Sequence, residues 1–165
     1  MIVVSSSPPL ITLARIGRLE LLRELFGRIH IADEVRDEVV VRGAGRPAAQ
    51  TVGKADWIDT HPPADANEIT ALRARQALGT GELATVLLAR TIRADLAIID
   101  ERAARRLGQS QGLAVMGCVG ILERGHRRSL VPDVREAYRN LLAQGIRVDR
   151  QILNQSLIAL GLPPL

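Results

Sequence analysis

The sequence predicts an α/β protein built on a central parallel sheet flanked by helices, a three-layer α/β/α arrangement. Three observations carry that expectation. Short apolar runs, in "MIVVS", "RIHIA", "ADLAIID" and "LAVMG", alternate with stretches of helical periodicity, the pattern of strand–helix–strand units. Within the runs the apolar residues are consecutive, as in strands covered on both faces. The chain is 47% hydrophobic but only 2% aromatic, so its core must be Leu, Ile, Val and Ala. At 165 residues it is read as one domain, residues 1–165, able to bury roughly 70% of its unfolded surface.

The elements follow in order. Ile2-Val3-Val4 forms the first strand, and Pro8-Pro9 opens a helix, since proline is tolerated in a first turn. That helix, "LITLARIG", ends at Gly17. "RLELLRELFG" is a second helix with Leu19, Leu22, Leu25 and Phe26 on one face. "RIHIA" is the second strand, followed by the helix "DEVRDEVVVRG" with Asp33 as N-cap. Residues 43–67 hold most of the loop signals, with "WIDTH" a short strand among them. A helix spans 66–77 and breaks at "LGTG", before the helix "ELATVLLARTIR". Strand 94–99, helix 101–110 and strand "LAVMG" come next, and "VGILERGHRR", "VPDVREAYRNLLAQG" and "DRQILNQSLIALG" are three further helices. The apolar tail either completes the core or forms a homodimer contact, and the core is the preferred reading.

Several classes are excluded. A lone Cys118 rules out an internal disulfide and suits a reducing cytosol. No segment has the roughly 20 apolar residues of a membrane span, and the N-terminus lacks a signal-peptide pattern, so a cytoplasmic protein with no membrane partner is expected. His30, His61 and His126 show no paired spacing, which argues against zinc. No Ser-His-Asp set, phosphate-binding loop or GxGxxG is present.

The net charge of +4 is unevenly placed. Residues 1–101 hold twelve basic and fourteen acidic side chains, whereas residues 102–150 hold ten arginines against four acids. A basic segment beside an acid-bearing one suits a protein that handles phosphodiesters. A base-composition bias explains Arg over Lys equally well, but it explains the segregation less easily.

Ligands of parallel sheets sit off the carboxyl ends of the strands, here Ser5–Ser7, Asp100–Glu101 and Gly117–Cys118. Taken singly, the acids have ordinary explanations. Asp100 suits a helix N-cap worth about 1 kcal/mol, Glu101 a first-turn acid, Glu82 another helix start, and Glu38 a solvent-facing position. Taken together they share one rim, and two charges ~5 Å apart repel by about 3 kcal/mol at an effective dielectric of ~20. Such a rim requires a cation or raised pKa values, and oxygen-only ligands favour Mg²⁺ or Mn²⁺.

The ordered set "VVSSSPPLITLARIGRLELL", "IADEVRDEV", "LGTGELATVLLAR", "LAIIDERAARRL" and "GLAVMGCVGIL" resembles the PIN-domain superfamily, in particular small prokaryotic PIN-like proteins related to VapC-type toxin ribonucleases. The resemblance covers residues 2 to about 160 and implies a metal-dependent ribonuclease fold. It implies Glu38, Glu82 and Asp100 as catalytic acids and, with Glu101 where a second Asp is common, as ligands of Mg²⁺ or Mn²⁺. Arg105 matches the arginine one turn along; with Arg102 and Arg106 it would contact phosphates, a solvated helix face being the plain alternative. RNA as substrate and an antitoxin protein as partner follow from the same resemblance. One departure stands out: Ser6 occupies the position of the family's first Asp, and Pro8 that of a usual Ser. Serine is a poorer Mg²⁺ ligand than a carboxylate. The expectation is therefore a ribonuclease of toxin–antitoxin type with a weakened site, or else a catalytically inactive module that binds nucleic acid or a protein.

Overall fold

The computed structural model describes all 165 residues. Five parallel strands run in the order β3-β2-β1-β4-β5, with helices on both faces, giving a three-layer α/β/α fold. The strands are β1 (Val3–Ser5), β2 (Ile29–Ala32), β3 (Ile58–His61), β4 (Leu96–Ile98) and β5 (Val115–Met116). β1 sits at the centre, with Val4 opposite His30 on one side and Ala97 on the other. The chain lays β2 and β3 to one side of β1 and then returns to lay β4 and β5 on the other. That reversal makes the crevice between the carboxyl ends of β1 and β4 the natural ligand site of the sheet.

The central strands are apolar because no face of them meets water: Val3, Val4, Ala97 and Ile98 are fully buried. They join one core of 39 residues that includes a single wholly buried aromatic ring, Tyr138. Helix α6 (Thr80–Thr91) lies across β1, β2 and β4, with α3 (Asp33–Arg36), α5 (Ala66–Arg73) and α7 (Arg102–Ser110) packed beside or against its neighbours. The other helical group contains α1 (Ser7–Arg15), α2 (Glu20–Phe26) and α8 (Cys118–Arg127), with α9 (Val134–Ala143) and α10 (Arg150–Ala159) packed on α8. Pro8 and Pro9 lie in the first turn of α1, and the chain leaves that helix through Gly17 at φ +69°, a conformation that glycine adopts without a Cβ penalty.

Four local expectations are corrected. Residues 43–67 are not simply loop: α4 (Pro47–Lys54) begins at Pro47, a first-turn proline that resembles a breaker in sequence. The helix expected at 66–77 stops at Arg73. Asp33 is not a cap; the extended residue is Ala32, and no side chain caps the helix. Beyond Arg36 the helix widens into a π-helical turn, Asp37–Val41. This turn leaves Val41 63% exposed and turns Glu38 inward, the reverse of the expected facing. The tail divides: Leu153 and Leu157 are buried in the core, while Ile152 and Ile158 are exposed.

Candidate functional site

Ser5 and Ser6 close β1 and are both buried. The backbone N–H of Ser6 donates to the Ile98 carbonyl at 3.0 Å, and its hydroxyl donates to the same oxygen at 3.3 Å. The Ser5 hydroxyl donates to the Ser6 carbonyl at 3.0 Å. Both hydroxyls are therefore turned back onto the sheet. Because β1 lies between β2 and β4, Ser6 separates the acid that follows β2 from the acid that follows β4.

The first of these acids, Glu38, stands over the start of α6. A β-carbon on Gly81 would lie 1.8 Å from Glu38 Oε1, so the second glycine of "LGTGE" is there because the carboxylate fills the place of a side chain. Glu82, in the first turn of α6, folds over its own N-cap: a β-carbon on Gly79 would lie 2.6 Å from Glu82 Oε2. The two carboxylates are neighbours, one standing over Gly81 and the other on the next residue, and the Glu38 pKa is raised. Burial is the main cause raising it above the ordinary Glu value, and the charges of Glu82 and Asp37 add to the rise. The Ser7 hydroxyl and Arg42 act in the opposite direction. Ser7 Oγ is buried and has no hydrogen-bond partner, so its hydroxyl is free to turn toward that carboxylate.

Asp100 takes a different role from the expected N-cap. Its Oδ1 accepts from the backbone N–H of Cys118 at 2.6 Å, at the first residue of α8, where the helix dipole favours an anion. The cap of α7 is Glu101, whose Oε2 accepts from the Ala104 N–H at 2.8 Å. One oxygen of this expected metal ligand is thus already engaged. Gly117 repeats the logic of Gly81, since a β-carbon there would lie 2.8 Å from Asp100 Oδ1 and 3.6 Å from Arg105 Nη1. The Cys118 thiol is buried against the Pro9 carbonyl. Burial, reinforced by Asp100, raises its pKa well above the ordinary value, so it remains a neutral thiol and not a nucleophile.

Glu38 and Glu82 thus come together, and Asp100 stands across Ser6 with Cys118 and Arg105. No three or more His, Cys, Asp or Glu side chains gather as a metal-holding group. Two clefts border the rim. One of about 380 Å³ takes Glu38 and Arg46, and one of about 770 Å³ takes Asp100, Arg102 and Arg105. Arg106 is exposed on α7 outside both clefts. Sequence reasoning missed Arg15, which lines both clefts, and Arg147, which lines the larger; neither belongs to a motif. It also missed the pairing of two histidines. The register that sets His30 opposite Asp59 and Ala32 opposite His61 brings His30 Nδ1 to 2.9 Å from His61 Nε2. Trp57 is 6% exposed and packs in the core, so it offers no face to a base.

An open parallel sheet with carboxylates ranged off its strand ends is a ligand-binding α/β domain. Residues 2–161 match the model of the family DUF3368, a PIN domain, and the chain belongs to that family, whose fold is that of nucleases acting on nucleic acids. No curated protein matches the chain. No helix is long and apolar enough to cross a membrane.

PIN domains generally use divalent metals. The Glu38–Glu82 pair fits such an ion in kind: both are hard oxygen donors, and Mg²⁺ is commonly held by one or two carboxylates with water and substrate phosphates. Burial is the main cause of the raised Glu38 pKa and the charge of Glu82 adds to it; a cation held between the two would offset that added repulsion.

Proposed function

We propose that this PIN-domain protein binds RNA and cleaves it slowly in the presence of Mg²⁺ or Mn²⁺, its site weakened by serine at position 6. The carrying observation is the placement of Glu38 over Gly81 beside Glu82, with Asp100 across the end of β1. Glu38 and Glu82 would hold the ion, with Asp100 on the opposite side. The ion, when bound, would activate water and offset charge on the phosphate. The chain's own contribution is to keep three carboxylates at the sheet's edge and to offer arginines for the phosphates. Glu101 serves the helix it caps and supports the site only indirectly.

The test is Mn²⁺-dependent cleavage of RNA by the wild type, Ser6→Asp and Glu82→Gln. The expected order is Ser6→Asp fastest, by about tenfold or more, which corresponds to about 1.4 kcal/mol of barrier, with Glu82→Gln inactive. Rapid wild-type cleavage that Ser6→Asp does not improve would overturn the weakened-site reading.

A second reading has its own support. The Ser6 hydroxyl is committed to the Ile98 carbonyl, and no third acid joins Glu38 and Glu82. On that reading the protein binds nucleic acid without cleaving it. Retained RNA binding with no cleavage by either the wild type or Ser6→Asp would select it.

A further inference from the structure

The outer strand pair of the sheet, β2 and the edge strand β3, brings together groups that the acid rim does not use. His30 Nδ1 lies 2.9 Å from His61 Nε2, and the two ring centroids are 5.1 Å apart with their planes tilted by 53°. Asp59, opposite His30 in the ladder, places Oδ2 3.9 Å from the same Nδ1. Its other oxygen, Oδ1, accepts from Arg28 at 2.7 Å, and Arg28 is also anchored on the Asp56 carbonyl at 3.1 Å. The carboxylate is thereby oriented with one oxygen toward the imidazoles. The third histidine, His126, is engaged elsewhere, on the Val131 carbonyl.

Two nitrogens and one oxygen are a different donor set from the oxygen-only rim. Imidazole suits borderline ions such as Zn²⁺, Ni²⁺ and Cu²⁺, whereas carboxylates alone suit Mg²⁺ and Mn²⁺. Donor atoms about 2.0–2.1 Å from a tetrahedral Zn²⁺ lie roughly 3.3 Å from one another. The two ring nitrogens must therefore part by a few tenths of an ångström, and Asp59 Oδ2 must close by about half an ångström. As they stand the three groups are not a closed metal-holding set, because the rings face each other across one shared proton. An ion would take the place of that proton, which moves to a ring nitrogen turned away from the site. Burial first, and then His61, lower the His30 pKa; Asp59 acts in the opposite direction and Arg28 adds a smaller decrease. The ring is therefore neutral at pH 7, as a ligand must be. An ion can reach it: the His30 and Asp59 side chains are 21% and 44% exposed. His61 also opens onto a cleft of about 310 Å³ that holds Asp65 and Glu68, whose charges favour the approach of a cation.

We propose that His30, His61 and Asp59 bind one borderline divalent ion, with Zn²⁺ as its probe, and that this ion staples the edge strand β3 to β2. Water fills the remaining position. The site is independent of the RNA reading above and of the Mg²⁺ or Mn²⁺ expected at Glu38 and Glu82. Spacing in the sequence argues against zinc because His30 and His61 are 31 positions apart. The parallel register, which no spacing rule records, is what joins them.

The experiment follows the imidazole nitrogens of the full, chelator-stripped chain by heteronuclear NMR as Zn²⁺ is added, beside a calorimetric titration. Zn²⁺ should shift the His30 and His61 resonances together and leave those of His126 unmoved. At about a hundred times its dissociation constant it should raise Tm by roughly 5 °C or more. His61→Gln should weaken Zn²⁺ binding about tenfold or more and Asp59→Asn several-fold. Glu82→Gln, which disables the oxygen-only rim, should leave the histidine shifts as they are. Histidine resonances that do not respond to Zn²⁺ would overturn the proposal, and that observation on the wild type requires no variant to fold. Wild-type affinity in His61→Gln, or histidine shifts lost in Glu82→Gln, would overturn it as well, by placing the ion at the acids. Cleavage of RNA with Mn²⁺ is measured separately, so the failure of either proposal is distinguishable from that of the other.

Discussion

The carboxylate of Glu38 occupies the space in which a side chain at position 81 would begin: a β-carbon on Gly81 would lie 1.8 Å from Glu38 Oε1. The glycine and the acid are distant in sequence and belong to separate elements, the π-helical turn and the first turn of α6. In an ordinary helix Gly→Ala gains about 1 kcal/mol. Here the gain should reverse. Gly81→Ala is expected to destabilise by about 1–3 kcal/mol through overpacking, and adding Glu38→Ala should recover most of that loss. Urea midpoints of the two single variants and the double measure the coupling. Additive effects would show that the two residues do not compete for one space.

Glu38 also sets a pH dependence. Its carboxyl is raised in the folded state, first by burial and then by its carboxylate neighbours. Folding thus favours the protonated form. The associated stability is fully present below the unfolded value near 4.5 and is lost as pH rises through the folded value. Glu38→Gln should melt a few degrees above the wild type at pH 7.5, with the advantage shrinking toward pH 4. A difference in Tm that is the same at both pH values contradicts this.

Ser6→Asp places a charge in a site 1% exposed and removes a hydroxyl bonded to the Ile98 carbonyl. Without metal the variant should be less stable than the wild type, by about 1–3 kcal/mol. With Mn²⁺ at about a hundred times its dissociation constant it should regain roughly 2.7 kcal/mol. Thermal melts with chelator and with Mn²⁺ test this, and a variant indifferent to Mn²⁺ would show that position 6 does not face the ion.

Asp100 has two separable duties. Asp100→Asn retains an acceptor for the Cys118 N–H and should leave stability close to wild type, while removing the charge on which cleavage would depend. Asp100→Ala loses the bond as well and should cost about 1 kcal/mol more. Chemical denaturation beside the cleavage assay separates the two. Equal stability of Asn and Ala variants would mean that the 2.6 Å contact contributes nothing to holding α8.

Away from the rim, Tyr138, Ser156 and Glu123 tie α9, α10 and α8 together: Tyr138 Oη and Ser156 Oγ are 2.6 Å apart, and Ser156 donates to Glu123 Oε2 at 2.8 Å. Ser156→Ala leaves Tyr138 and Glu123 without that partner and should cost about 1–3 kcal/mol, a fall in Tm of roughly 2–4 °C per kcal/mol for a chain of this size. An unchanged Tm would show that the three helices are held by apolar packing alone.

The sequence by itself determined the sheet and the parallel sense of its strands, and it pointed to the carboxyl edge as the candidate site. Those features follow from local pattern: consecutive apolar residues such as Val3-Val4 and Leu96-Ala97 cannot meet water on either face, and the glycines and prolines mark where helices start and stop. It also singled out Glu38, Glu82 and Asp100, through motifs that lie next to strand ends. It did not determine which acid does what. Asp100 and Glu101 are adjacent in the chain and alike in chemistry, and only the packing of α8 against the end of β4 gave Asp100 the Cys118 N–H while leaving Glu101 to cap α7. The inward turn of Glu38 depends on a π-helical turn with no local signature. The pairing of His30 with His61 depends on strand register, and the presence of Arg15 and Arg147 in one cleft on how α1 and the segment between α9 and α10 come together. Contacts between residues a hundred positions apart are set by packing, and local periodicity carries no record of them.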